Sequence, residues 1–156
     1  MKYSILFIFI LTIHPVSAAD INQARAHQNY LLNCQGCHLP DAIGSPGLVP
    51  KMKGFIGNFL RVAGGREFII RVPGAASAPI SDEELAELMN WLLEKYSKDQ
   101  LPDDFKPYTA AEVGKLRKHP LVKNPGIDGI PSRKELTDQL EKQYGIIEEV
   151  AANLTR

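Results

Sequence analysis

Residues 33–38 read NCQGCH and contain both cysteines of a chain of 156 residues. Cys34 and Cys37 are separated by two residues, and His38 follows the second cysteine directly. Three chemistries use two cysteines at this spacing, namely a redox dithiol, a zinc site and covalently bound haem. The choice among them decides both the fold and the function.

The first two chemistries leave the histidine unexplained. A redox dithiol normally lies at the start of a helix that follows a strand, and this chain shows no such pattern of alternating strands and helices. A zinc site would need two further ligands, yet His27, His38 and His119 have no recognisable metal-binding spacing. A structural disulfide between the two cysteines also remains open.

Covalent haem accounts for all three residues. Two thioether bonds tie the porphyrin to one turn of backbone, and the adjacent imidazole is then placed beside the iron. The spacing therefore predicts one haem c per chain, attached through Cys34 and Cys37. In this interpretation His38 is the proximal iron ligand.

The N-terminus has the pattern of a secretory signal peptide. Lys2 precedes an apolar run at 5–13, and small residues follow, so we expect residues 1–18 to be removed near Ala18 or Ala19. The run is shorter than the ~20 apolar residues of a spanning helix, although a retained membrane anchor is the alternative. The sequence thus predicts a periplasmic protein whose mature form has no stable membrane span.

Charge is balanced over the whole chain but uneven along it. Lys and Arg number 18, as do Asp and Glu, so a nucleic-acid partner has no electrostatic support. Basic residues dominate between 51 and 71, which indicates either a docking rim around a haem edge or a solvated face. The acidic residues at 82–87 favour the start of a helix through its dipole.

Apolar spacing predicts an all-α protein. We expect helices over 20–33 and 55–62, a loop over 39–53 that is rich in Pro and Gly, and a short buried segment at 66–72. The strongest helix begins at Ser81, since Glu84 completes a capping box, and it should end between 96 and 98. Its apolar face carries Leu85, Leu88, Met89 and Leu92.

The sequence after 101 is polar and rich in proline. It contains two weaker helical patterns, at 110–118 and 132–144, and shows no sign of a second full core. We expect a segment that adheres to the domain in an extended form. The predicted organisation is a signal peptide at 1–18, a domain at 19–100 and a C-terminal extension at 101–156.

With these residues in view, the chain resembles the class I c-type cytochromes over about residues 20–98. The resemblance rests on CQGCH, on Tyr30 four residues before Cys34, on PKMKG at 50–54 and on Trp91 in the last helix of the domain. It implies a small all-α domain of three to five helices around one haem. It also implies that the Pro50 carbonyl accepts the Nδ1 proton of His38, and that Ala26 or Tyr30 packs against Trp91.

The second axial ligand is where the sequence departs from that family. Family members usually supply a methionine from a Met-Pro loop shortly before the last helix, whereas this chain has Val72 and Pro73 there. Met52 and Met89 are the remaining candidates after Met1 leaves with the signal peptide, with His27 and His119 as weaker ones. The other possibility is that no protein ligand fills this position.

The resemblance implies an electron carrier and not an enzyme. Its partners would be a periplasmic dehydrogenase, an oxidase or another cytochrome. Two alternatives remain open at this point. One is a haem protein whose sixth position is open or weakly held and binds a small ligand; the other is a cytochrome subunit of a larger dehydrogenase complex, attached through the extension from Pro102 onward.

Overall fold

A computed structural model of the protein describes residues 21–121 and 131–148. Over those residues the named elements are all helices, so the predicted all-α class is confirmed. None of the helices in the two described ranges has the length and apolar character needed to cross a membrane. The predicted signal peptide at 1–18 lies outside the described residues.

Within residues 21–121 and 131–148, seven α-helices follow in chain order. Two short 3-10 helices, Ile56–Arg61 and Lys98–Gln100, lie among them. The α-helices are α1 Gln23–Asn33, α2 Gln35–His38, α3 Gly65–Arg71, α4 Pro73–Ala76, α5 Asp82–Ser97, α6 Ala110–Leu116 and α7 Arg133–Tyr144.

The start of α5 is fixed by the predicted capping box. The Ser81 hydroxyl accepts from the Glu84 backbone N–H at 3.2 Å, and the Glu84 carboxylate accepts from the Ser81 N–H at 2.9 Å. Two backbone donors that the helix itself leaves without partners are thereby satisfied. The helix runs to Ser97, as the apolar spacing predicted.

Helices α1 and α5 pack against each other and form the centre of the core. Ala26 and Tyr30 on α1 are fully buried, and the rings of Tyr30 and Trp91 lie 5.7 Å apart. The predicted contact of this part of α1 with Trp91 is confirmed. His27 stacks on the same indole with ring centroids 5.5 Å apart, which places this histidine at the helix crossing.

The segment 39–53 is a loop, as predicted, and buried tyrosines hold it against the two helices. The Tyr30 hydroxyl donates to the Leu39 carbonyl at 2.5 Å, and the Tyr96 hydroxyl donates to the Pro40 carbonyl at 2.8 Å. Both donors belong to the core formed by α1 and α5. The loop is therefore held in place by side chains from α1 and α5.

The region predicted as a helix at 55–62 forms a 3-10 helix, and the undecided segment at 66–72 forms α3. Gly64 adopts a left-handed conformation with φ of 82° between the two. A Cβ atom on the next residue, Gly65, would collide with the Phe59 carbonyl. The two glycines thus let the chain turn back sharply and pack α3 against the preceding helix.

The C-terminal extension is part of the core, which is more than the sequence suggested. Both predicted helices are present as α6 and α7, and Val113, Leu136 and Leu140 are fully buried in the same cluster as α1 and α5. The segment adheres to the domain, as predicted, but these residues are helical and not extended. Leucines at 136 and 140 lie one helical turn apart, so a single face of α7 packs inward.

Arginines join the first part of the extension to the domain. The Arg66 guanidinium binds both carboxylate oxygens of Glu112 at 2.6 and 2.8 Å and stacks on the Tyr108 ring at 4.1 Å. In return Arg117, the residue after α6, donates to the carbonyl of Ala76 at the end of α4 and to those of Ala78 and Ile80 before α5. The extension and the domain are thus linked in both directions.

Candidate functional site

The two cysteines and the histidine lie on a single helical turn. Helix α2 follows α1 directly, and the N–H groups of Cys37 and His38 both bond to the Cys34 carbonyl, at 3.2 and 2.9 Å. This turn brings the three side chains to the wall of one cavity of about 290 Å³. The local spacing therefore produces a shared site, as the sequence pattern requires.

The rest of the cavity wall is mostly apolar. Contributions come from the 3-10 helix at Ile56–Arg61, from α3 and the turn after it, and from α5. The apolar lining side chains are Met52, Ile56, Phe59, Phe68, Ile69, Val72, Ala75, Ala78, Leu85, Leu88, Met89 and Leu92. Such a lining favours a flat, largely hydrophobic ligand with a few polar attachment points.

His38 is oriented by the loop that follows it. Its Nδ1 lies 3.2 Å from the Pro50 carbonyl oxygen, which confirms the contact implied by the resemblance. A carbonyl can only accept a hydrogen bond, so Nδ1 carries the ring proton. The other nitrogen, Nε2, then keeps its lone pair and is the atom available to a metal.

The surroundings of His38 favour the neutral imidazole. Burial lowers the pKa of His38, and the positive charge of Arg133 acts in the same direction, whereas the bond to Pro50 opposes them. The net direction is downward from the usual value. A neutral imidazole is the form that binds metal ions.

The two cysteines are free thiols and do not form the disulfide considered above. Burial, with a smaller effect of Cys37, raises the pKa of Cys34 to about 11. A redox dithiol needs a thiol whose pKa is lowered, so Cys34 lacks the property on which that chemistry depends.

A zinc site has no support in the part of the chain that the structure describes. No group of three or more His, Cys, Asp or Glu side chains converges there. Of the histidines proposed as additional ligands, His27 is stacked on Trp91. His119 lies beside Arg71 and Leu116, and neither histidine lines the cavity that holds the cysteines.

Both candidate methionines line the cavity, but they come from different parts of it. Met52 follows Pro50 by two residues, and its backbone N–H bonds to the Ala42 carbonyl at 2.9 Å. Met89 lies on α5 between Leu88 and Leu92, and only 5% of it is exposed.

The valine and proline at 72 and 73 lie where α3 ends and α4 begins. Val72 lines the cavity with a side chain that has no donor atom. The structure thus brings Cys34, Cys37 and His38 to one cavity together with both methionine side chains. His27 and His119 lie outside it.

One cavity residue was missed by the sequence reasoning. Arg133, the first residue of α7, lines the cavity, and its guanidinium lies 5.2 Å from the centre of the Phe59 ring. It also forms an ion pair with Glu148. The residue stands 95 positions beyond His38, so no local motif could have linked the two.

The arginines of the basic stretch at 51–71 bind other parts of the same chain. Arg61 donates to the carbonyls of Gln100 and Leu101 at 3.0 Å, and Arg71 donates to the His119 carbonyl. Arg66 binds Glu112, and none of the three arginines lines the cavity. The three arginines thus bind other parts of the chain and lie away from the cavity wall.

The residues of this cavity fit a covalently held haem. Haem brings a flat apolar ring, two vinyl groups that react with thiols, an iron that takes an imidazole, and two carboxylates. The cavity offers apolar walls, two free thiols, an imidazole whose Nδ1 is bonded to Pro50 and whose Nε2 keeps its lone pair, and one arginine. The ring, the vinyl groups, the iron and one of the carboxylates each have a chemically matching residue.

Comparison with known proteins agrees with this geometry. No protein-family model matches the chain. It is 33% identical over 107 residues to a cytochrome c-552 of Thermus thermophilus, covering 57% of this chain and 82% of that protein. A second cytochrome c-552 sequence from the same species matches with 33% identity over 107 residues, covering 57% of this chain and 72% of that protein.

The match includes fewer residues of this chain than of its relative. The aligned 57% of 156 residues is about 89 residues, whereas the match is 107 long, so this chain is about 18 residues shorter inside the matched stretch. The match, at 33% identity, nevertheless covers most of the length of both relatives. The chain therefore belongs to the c-type cytochromes, haem proteins that carry electrons.

Proposed function

We propose that the protein is an exported cytochrome that carries single electrons between periplasmic redox partners by means of one covalently attached haem c. The observation that supports this most directly is the meeting of Cys34, Cys37 and His38 at one apolar cavity. Bound haem would supply the redox chemistry, with iron alternating between its ferrous and ferric states. The protein would supply position, burial and tuning.

In this proposal each residue of α2 has a separate role. Cys34 and Cys37 would hold the haem through thioether bonds to its vinyl groups, the thiol hydrogens being taken up by the vinyl carbons. His38 would hold the iron through the lone pair of its Nε2. The Pro50 carbonyl, 3.2 Å from Nδ1, holds the imidazole in the correct tautomer and orientation.

Arg133 would act as the cation for a haem carboxylate. A buried carboxylate without a partner is costly, and a guanidinium matches its two oxygens. Arg133 is 32% exposed and already binds Glu148, so it can stay charged beside the cavity. By this assignment the C-terminal extension takes part in the haem site.

We further propose that the domain at 19–100 and the extension at 101–156 form one functional unit. The extension buries Val113, Leu136 and Leu140 within the same chain. These side chains are already used, which speaks against a tail whose main purpose is attachment to another subunit. The supporting pattern for export is the signal sequence at 1–18.

The donor we propose is a periplasmic dehydrogenase, and the acceptor is an oxidase or another cytochrome. Transfer to and from such partners needs haem close to the surface. Cys37, at the cavity, is exposed, and Lys51 also lines the cavity. An encounter at this edge would bring the two redox centres close together.

Haem staining of a denaturing gel tests the attachment. The variants are Cys37→Ala and, as a matched control on the same turn, Gln35→Ala, each produced in a host with the haem-attachment machinery. We expect strongly reduced stain for Cys37→Ala, because one of the two thioethers is lost, and full stain for Gln35→Ala. Undiminished stain in Cys37→Ala would contradict the assignment.

A further inference from the structure

We propose that no residue within 21–121 or 131–148 binds the haem iron opposite His38, and that this position binds a small uncharged molecule such as carbon monoxide or nitric oxide. The inference rests on the proposed haem site and adds to it a second binding property. It is carried by the side chains that the structure places around the cavity.

The first step concerns the connection between α3 and α5. It is only ten residues long, from 72 to 81, and four of these residues line the cavity: Val72, Gly74, Ala75 and Ala78. None of their side chains ends in sulfur, nitrogen or oxygen, so none can bind iron.

The second step concerns Met52, which belongs to the segment that orients His38. It lies two residues after Pro50, whose carbonyl faces Nδ1 of His38 at 3.2 Å. Two ligands on opposite axial positions must approach the iron from opposite faces of the ring. A side chain from the same short segment as the partner of His38 is therefore placed on the wrong face for the second position.

The third step concerns Met89, which forms part of a continuous apolar stripe on α5. Leu85, Leu88, Met89 and Leu92 line the cavity at helical spacings of three and four residues, so they share one face. The α1–α5 crossing fixes this helix through the contact of Tyr30 with Trp91. Met89 would therefore contact a bound haem on the same helix face as its three leucine neighbours, and its thioether would fill space there.

The character of the wall decides which ligands fit. The turn after α3 and the cavity face of α5 present only hydrocarbon and one thioether. An anion would lose its hydration there without gaining a hydrogen bond, whereas a small uncharged molecule pays no such cost. Asn33, a polar residue at the cavity, already donates its amide to the Asn29 carbonyl at 2.9 Å.

The test is a carbon monoxide titration of the full-length, haem-loaded protein after reduction, followed by absorption spectroscopy. Three proteins are compared: wild type, Met89→Leu and Met52→Leu. Exchanges of Met for Leu nearly conserve volume and are usually tolerated in a core, so all three should fold. A pyridine haemochrome spectrum of each sample first confirms covalent haem.

We expect carbon monoxide to change the wild-type spectrum within mixing time, with an affinity that Met89→Leu and Met52→Leu alter by less than about tenfold. A wild type that resists carbon monoxide while Met89→Leu binds it would identify Met89 as the sixth ligand and overturn the proposal. The same outcome for Met52→Leu would identify Met52. Resistance in all three proteins would also overturn it, because another group then holds the position.

The haemochrome spectrum separates the two levels of the account. If haem is attached and carbon monoxide does not bind, only the inference about the sixth position fails. If no haem is attached in a competent host, the proposed function fails, and the inference fails with it. The two failures are thus read from different spectra.

Discussion

Asn90 on α5 pairs in both directions with the backbone of Tyr108 in the C-terminal extension. Its amide donates to the Tyr108 carbonyl at 2.9 Å, and its carbonyl oxygen accepts from the Tyr108 N–H at 2.7 Å. Both residues are buried. A single side chain thus substitutes for a strand partner and ties the extension to the helix that lines the haem cavity.

Loss of this pair should destabilise the whole protein. Asn90→Leu has a similar volume but leaves a buried N–H and a buried C=O of Tyr108 without partners, which should cost about 2 to 4 kcal/mol of unfolding free energy. The exposed neighbour Glu94 provides the control variant Glu94→Gln on the same helix. Urea unfolding of the haem-loaded proteins measures both changes.

If Asn90→Leu unfolds within about 0.5 kcal/mol of the wild type, as a surface substitution does, the extension is not coupled to the domain. The proposal that 19–100 and 101–156 form one unit would then be wrong.

Gly65→Ala should be destabilising for a steric reason. The added Cβ would collide with the Phe59 carbonyl, and the backbone of the preceding 3-10 helix would have to move. We expect a loss of about 1 to 3 kcal/mol in thermal or chemical unfolding. The matched control is Gly74→Ala, whose Cβ meets no atom within 4 Å and which should be neutral or slightly stabilising. Equal stability of the two variants would contradict the close packing of α3 on that helix.

Glu87 should make stability dependent on acid pH. Burial alone would raise the pKa of Glu87, but hydrogen bonds from the Arg25 side chain and the Asn22 N–H, with the charge of Arg25, hold it below its usual 4.5. These bonds measure 2.6 Å from Arg25 Nε and 2.7 Å from Asn22 N. The ionised carboxylate therefore contributes stability that is complete above pH 4.5 and is lost as the pH falls through the lowered folded pKa.

Glu87→Gln is accordingly expected to be less stable than wild type at neutral pH, with a difference that shrinks as the solution is acidified. Glu83→Gln, an exposed change of the same charge on the same helix, serves as the control. Denaturant titrations at several pH values measure the difference. If the difference in unfolding free energy between Glu87→Gln and wild type stays constant down to acid pH, the ion pair with Arg25 does not cause the pH dependence.

Arg133→Gln should lower the reduction potential of the haem. A cation beside the cavity favours the ferrous state, which carries one positive charge less, so its removal favours the ferric state. Because Arg133 is 32% exposed, the effect should be on the order of 1 kcal/mol or less. Lys134→Gln, a far more exposed neighbour on α7, is the matched control. Spectroelectrochemical titration measures the reduction potentials of both variants. An unchanged or higher potential in Arg133→Gln would show that Arg133 does not act on the haem.

Short sequence patterns were enough to predict the helical fold and the His38 side of the site. The capping box of Ser81 and Glu84, the apolar stripe of α5 and the Cys-Cys-His spacing are each contained within a few residues, so the chain sequence displays them directly. The contact of His38 with Pro50 spans only 12 positions along the chain and was implied by the family resemblance.

The remainder depends on contacts between distant parts of the chain. Arg133 reaches the cavity only because Leu136 and Leu140 pack α7 into the core. The arginines at 61, 66 and 71 have the composition of a docking surface, yet their partners are Gln100, Leu101, Glu112 and His119 in or near the extension. Likewise the close approach of Gly65 to the Phe59 carbonyl depends on the packing of α3 against the 3-10 helix, which periodicity cannot reveal.

The most direct test is the intact mass of the protein after maturation in a host that attaches haem and exports it. Denaturing mass spectrometry should give the polypeptide that begins near residue 19 plus the mass of one haem, because the thioethers to Cys34 and Cys37 survive unfolding. The double variant Cys34→Ser with Cys37→Ser should give the bare chain. A bare wild-type chain from the same host would contradict the account.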